Sequence, residues 1–170
     1  MTSFVALLRG INVGGTGKLA MADLRALCEA AGFTSVRSHI ASGNVVFTSD
    51  GSEQEVKAAL EIRLRGHLGK PVGVAVRTVT EMADILARNP FPDAPGDRVM
   101  AIFLDDLTSP DLLDGVTGRA DDEEIRLGHR EIYVRYGRGM GKSKLRIPAA
   151  TAGTARSMNT ITKLAEMAAE

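Results

Sequence analysis

The sequence predicts an α+β protein built from two β-α-β-β-α-β subdomains, the second degenerate, with further helices at its C-terminal end. Three observations carry this prediction. Short apolar strand patterns and amphipathic helical patterns alternate in that order within the first 77 residues. A proline-rich break then interrupts all periodicity, with Pro90, Pro92 and Pro95 inside one short stretch. After the break, a strand, a helical segment and a pair of strands begin again.

The first strand is the apolar run 4–8, which empties into a glycine-rich basic loop; together residues 4–18 read FVALLRGINVGGTGK. Leu24, Leu27, Cys28 and Ala31 recur at helical spacing, and Gly32 stops that helix, placed at about 21–31. Alternation over 36–40 sets Val36, Ser38 and Ile40 on one side and Arg37 and His39 on the other. The turn 41–44 and the run 45–48 complete a hairpin. Ser52 and Glu55 form a capping box ahead of a helix bearing Val56, Leu60 and Leu64, which Gly69 and Pro71 close. Val72, Val74 and Val76 alternate as a fourth strand. This order is the split β-α-β arrangement of ferredoxin-like domains.

A short helix is predicted over 80–88. The domain boundaries follow from the break: a first subdomain over 1–88, a linker over 89–97 and a second α+β subdomain over 98–170. The second begins with the strand 99–104, a helix capped by Ser109 with Pro110 at its first position, and strands at 124–127 and 131–136 around a Gly128 turn. A short helical piece and a last helix opening at Thr154, with Ile161, Leu164, Ala165 and Ala168 on one face, replace a clean repeat. The letters of the two halves show no evident similarity.

The 21 basic and 21 acidic residues cancel, so net charge selects no polyanionic partner and charge must be sought in patches. Residues 105–124 hold eight acids against Arg119, and 135–146 hold Arg135, Arg138, Lys142, Lys144 and Arg146 with no acid. Solvated faces are the plainer account of both runs. The single cysteine, Cys28, lies on the apolar side of the first helix, which excludes an internal disulfide framework and predicts a core thiol. No apolar run approaches the roughly 20 residues of a membrane span, and a cytoplasmic protein without a membrane role is expected.

Two stretches approach a phosphate-binding P-loop, and neither satisfies it. Counting back from Gly17 and Lys18, Asn12 stands where the first glycine belongs and Leu19 where the metal-binding hydroxyl belongs. Counting back from Gly141, Lys142 and Ser143, the hydroxyl fits but Tyr136 occupies the first position. A looser cradle for phosphate or carboxylate remains, with Arg9, Asn12, Gly14, Gly15 and Lys18 in the first loop and Lys142, Ser143 and Lys144 in the second. Positive φ in tight connections alone is the other account of these glycines. Arg37, on one sheet face with His39, and Ser42 and Asn44 in the hairpin turn complete the first group of candidates. Arg156, Asn159 and Thr160 form another, read as the N-terminus of the last helix, where capping and anion binding are both open.

The three histidines show no metal-ligand spacing, and neighbouring Asp105 and Asp106 on a strand end would point to opposite faces. No cofactor is expected, and no serine is paired with an orienting histidine and acid. Base stacking on the third strand is poorly furnished, with no tryptophan and two tyrosines. Backbone contacts by the 135–146 run keep a nucleic-acid partner open.

Several stretches together resemble the uncharacterised bacterial domain-of-unknown-function family 1697. They are LLRGINVGG at 7–15, MADLR at 21–25, Gly32 with Phe33, SGNVVF at 42–47, NPF at 89–91, SKL at 143–145, and Thr154-x-Arg156-x-x-Asn159-Thr160. The resemblance covers nearly the whole chain and implies two similar α+β subdomains and no established activity. It also implies Asn-Trp in the last motif where Ser157 and Met158 stand. The leading expectation is an anionic or phosphorylated ligand held between the two glycine-rich basic loops. A nucleic-acid-associated module and an enzyme acting on a phosphorylated small molecule are the alternatives.

Overall fold

The computed structural model describes residues 1–12, 18–137 and 142–170. It is a mixed α+β structure, with two four-stranded antiparallel sheets and four α-helices among the described residues. The chain forms two compact units, one of Met1–Ala83 with Lys163–Glu170 and the other of Asp84–Thr162.

The first unit holds β1 (Thr2–Leu8), α1 (Met21–Ala30), β2 (Thr34–Ser38), β3 (Asn44–Ser49), α2 (Glu53–Leu68) and β4 (Val74–Thr78), with sheet order β2-β3-β1-β4. Phe4 opposes Phe47 on β3 and Thr78 on β4, so β1 is hydrogen-bonded along both edges. One sheet face, carrying Phe4, Ala6, Leu8, Val45, Phe47, Val74 and Val76, packs on Leu24 and Cys28 of α1 and Val56, Leu60 and Leu64 of α2. Phe33 stacks on Phe47 with centroids 4.3 Å apart. The helix α2 has the ends its sequence specifies. Ser52 Oγ accepts from the Glu55 N–H at 3.2 Å, Glu55 Oε1 accepts from the Ser52 N–H at 3.0 Å, and Gly69 closes the helix at φ 74°. These bonds hold the Glu55 carboxyl below its usual range.

The second unit holds β5 (Val99–Phe103), β6 (Glu124–Leu127), β7 (Glu131–Arg135) and β8 (Thr154–Ser157), in the order β6-β7-β5-β8. Two helices span the division between units in the sequence: α3 (Val79–Ala87) and α4 (Met158–Ala169).

Three local expectations are corrected. The predicted Ser109-capped helix is a single 3-10 turn, Pro110–Leu113, in which the Ser109 hydroxyl bonds the Asp111 carboxylate rather than a backbone N–H. Ile40 is not on a strand. It is exposed at φ 51°, because β2 ends at Ser38 and the chain is already turning toward β3. Residues 154–157 are the fourth strand of the second sheet rather than a helix start, so Arg156 sits on β8 opposite Ala101, and α4 begins at Met158.

Cys28 is fully buried, and burial pushes its thiol up to about 12 from 9.0. The protonated form is therefore favoured in the fold. The stability this contributes is fully present below pH 9 and falls as pH rises toward 12. Native protein at pH 8 is expected to react with a disulfide reagent only at the rate of its opening, and urea-unfolded protein at once; fast reaction in the native state would contradict the core placement.

Candidate functional site

The chain leaves β1 at Leu8 and must turn sharply. Gly10 takes φ 66° and Asn12 takes φ 55°, a left-handed conformation that asparagine tolerates better than most side chains. Asn12 then works as a clasp. Its Nδ2 donates to Leu19 O at 2.9 Å and to Ala41 O at 2.7 Å, and its Oδ1 accepts from the Leu19 N–H at 2.8 Å. One side chain thus closes the loop on itself and ties it to the β2–β3 turn, so the position that a P-loop would give to glycine is structural here.

The turn it grips is equally specified. Gly43 has φ 89°, and a Cβ there would lie 2.7 Å from Ile11 Cδ1 and 2.9 Å from Leu8 Cβ. Buried Asn44 donates through Nδ2 to His39 O at 3.0 Å and to Ser42 Oγ at 2.9 Å. Ser42 and Asn44 therefore brace the turn. The Arg9 N–H donates to Gly73 O at 2.9 Å, while its side chain is exposed beside Gly73. Arg37 is occupied within the same unit: Nη1 donates to Met167 O at 2.8 Å and pairs with Glu170 at 3.1 Å. Gly14 and Gly15 lie outside the described residues.

A groove of about 430 Å³ opens at the clasp, lined by Asn12, Lys18, Leu19, Ala20, Met21 and Ala41. It meets the start of α1. The N-cap residue is Ala20, which has no side-chain acceptor, and the first intrahelical bond from an N–H is Leu24 to Ala20 O at 3.0 Å. Lys18 is exposed at this edge. Asp23, the one acid of the first turn, has its carboxylate 3.9 Å from His67 Nε2.

The second group of candidates lies in the second unit and is differently occupied. Ser143 donates its hydroxyl to Glu123, a buried carboxylate that also accepts from the Ala120 N–H at 2.8 Å. Gly118, at φ 73°, lets Lys144 O approach where a Cβ would stand 2.0 Å away. Lys142 and Lys144 share their cleft with Asp122 and Glu123. Arg135 pairs with Glu124 at 2.9 Å, and the guanidinium groups of Arg135 and Arg126 each lie over the Phe91 ring, 5.8 and 5.9 Å from its centroid. The acidic and basic runs thus meet in space. Arg138, Gly139 and Gly141 lie outside the described residues. Among those described, no group of three or more His, Cys, Asp or Glu is placed to hold a metal ion.

Arg156 is buried on β8, its Nη1 donating to Thr154 Oγ1 at 2.7 Å and Ala155 O at 2.9 Å, and burial lowers it to about 10. Asn159 is exposed against Gly96, and the Thr160 N–H is capped by Ser157 Oγ at 3.2 Å. Arg77 on β4, unremarked in the sequence, is the first unit's counterpart: 1% exposed, Nη1 donating to Val76 O at 3.0 Å.

A family model described as Protein of unknown function (DUF1697) matches residues 1–133. The chain belongs to the DUF1697 family. A solved structure described as that of the conserved bacterial protein SP0830 from Streptococcus pneumoniae is similar at 25% identity, over 98% of each chain, with a TM-score of 0.82. No match is found among curated proteins. The family match includes the opening loop and the Asn12 clasp.

Replacing Asn12 by Ala removes three hydrogen bonds and leaves a non-glycine residue at positive φ. The expected loss is about 2 kcal/mol in urea unfolding, with Asn12→Asp, which keeps only the acceptor, in between. An unchanged midpoint would show the clasp to be incidental.

Proposed function

We propose that the protein binds a phosphorylated or otherwise anionic small molecule at the groove ahead of α1. The observation that carries this reading is the start of that helix: its first-turn N–H groups have no intrahelical acceptor, as in any α-helix, and Ala20 offers them no side-chain cap, beside exposed Lys18. The Asn12 clasp fixes both sides of the groove before any ligand arrives, which lowers the ordering needed on binding. The helix dipole and the ammonium act in the same direction on an anion.

The second basic segment supports the reading less. Its serine is engaged with Glu123, and its lysines face carboxylates across one cleft. The same neutralisation weakens the case for a nucleic-acid backbone as partner, since Arg135, Lys142 and Lys144 of that stripe lie beside Glu124, Asp122 and Glu123.

The reading of each unit as a ferredoxin-like subdomain rests on sheet order. In both sheets the first strand lies between the third and fourth, with the second outermost. A cytoplasmic setting accords with a lone, buried and protonated thiol.

Thermal-shift measurements with inorganic phosphate, sugar phosphates and nucleotides test the site. A phosphorylated compound is expected to raise the midpoint, Lys18→Ala to abolish most of that rise, and Lys142→Ala to leave it intact. A panel that shifts nothing, or an effect lost in Lys142→Ala alone, overturns the assignment.

A further inference from the structure

A cavity of about 590 Å³ lies wholly within the second unit, at the turn between β6 and β7. That volume is within the range of about 300–1,000 Å³ common to small-molecule sites. Its floor is apolar. Tyr133 is 1% exposed, and its hydroxyl donates to Ile85 O at 2.8 Å, which fixes the ring and leaves that face without a free polar group. Leu127 adjoins it, and Leu107 stands at the mouth with 72% of its surface exposed.

The walls are preformed. Gly128 lies so close to the ring that a Cβ would sit 2.8 Å from Tyr133 Cε2. The Gly128 N–H donates to Glu131 O at 2.7 Å, and the Thr108 N–H donates to His129 O at 2.7 Å. The Thr108 hydroxyl also donates to Gly128 O. Thr108 thereby joins the segment bearing Leu107 to the turn, through its N–H and its hydroxyl.

The rim carries two guanidinium groups and an imidazole. Arg88, Arg126 and His129 line the cavity and no carboxylate does. Arg88 meets Asp84 through Nε, at 2.9 Å, and Arg126 meets Glu124 at 3.1 Å. Both guanidinium groups are more than half exposed, so these pairs contribute little and exchange readily for another anion. An apolar floor under a basic rim is complementary to one class of molecule.

We infer that this cavity is a second ligand site, which takes an amphipathic organic acid. The carboxylate is held at the Arg88, Arg126 and His129 rim, and the aliphatic or aromatic body lies on Tyr133, Leu127 and Leu107. The site shares no residue with the groove ahead of α1, so the two assignments stand or fall separately.

Titration of the full chain with octanoate, octanol and octylammonium, followed by amide NMR, tests it. Octanoate is expected to move the amides of Leu107, Thr108, Gly128 and His129 saturably, below its micelle-forming range, while octanol and octylammonium move them far less. Arg88→Gln, a surface change, should weaken octanoate roughly tenfold by removing a charge-assisted contact, and Leu107→Ser should weaken it without altering the preference for the acid. Lys18→Ala should change nothing. Equal response to octanol, no response to octanoate, or full affinity in Arg88→Gln overturns the proposal.

Discussion

Each sheet depends on a central strand whose hydrogen bonds are taken on both edges and whose residues are buried on both faces. In β1, Phe4 to Leu8 are all within 2% exposure, and in β5 Val99, Ala101 and Phe103 on one face are within 1%, with Ile102 on the other face at 6% and Met100 half-buried. Such a strand leaves no room inside it for polar side chains or an alternative register, since a one-residue slip would exchange its two packed faces. It also dictates what happens where it stops. The chain must leave β1 between β3 and β4, and it does so through Gly10 and Asn12 at positive φ, pinned to the β2–β3 turn. The positive φ of Gly10 and Asn12 is in part a consequence of the strand they follow.

That origin bears on how the loop can act. The bonds from Asn12 to Leu19 and Ala41 give Lys18 a fixed neighbour, and the uncapped helix start follows within two residues. Rigidity is what a binding groove requires, because side chains already held in place lose little freedom when a ligand arrives. In the second unit Ser143 has the opposite arrangement: its hydroxyl is satisfied by Glu123, and the segment it anchors is structural.

The elements legible in the sequence are those with local causes. The capping box at Ser52 and Glu55, the Gly69 stop and the buried Cys28 depend on neighbours a few residues away, and each is found where the letters put it. The strand β8 was hidden because Thr154 to Ser157 is short and carries an arginine where alternation calls for an apolar residue. Gly153 marked it: a Cβ there would lie 2.5 Å from Phe103 O, the kind of backbone approach that sheet edges impose. The site was legible as composition and not as pairing. Nothing local in the run 135–146 shows that Glu123 and Glu124 will meet it, because that contact is made by the sheet.

The two units share one solution to one difficulty. In each, the fourth strand runs into a helix with no intervening loop: Thr78 ends β4 and α3 begins at Val79, while Ser157 ends β8 and α4 begins at Met158. The last strand residue must then also cap the helix, and a hydroxyl does so both times, to Glu81 at 3.2 Å and to Thr160 at 3.2 Å. Just before it stands a buried arginine, Arg77 opposite Val5 and Arg156 opposite Ala101, each bonded to the carbonyl of the preceding residue. Burying a guanidinium is unfavourable unless its donors are satisfied, and an apolar residue of similar size is often no less stable. Hydrophobicity alone therefore gives no reason for the choice to occur twice at equivalent positions in the sheet order. Val76-Arg77-Thr78 and Ala155-Arg156-Ser157 keep the same chemistry at the same place in each sheet, a buried arginine between the strand's last bonds and the hydroxyl that caps the helix, while the letters around them diverge.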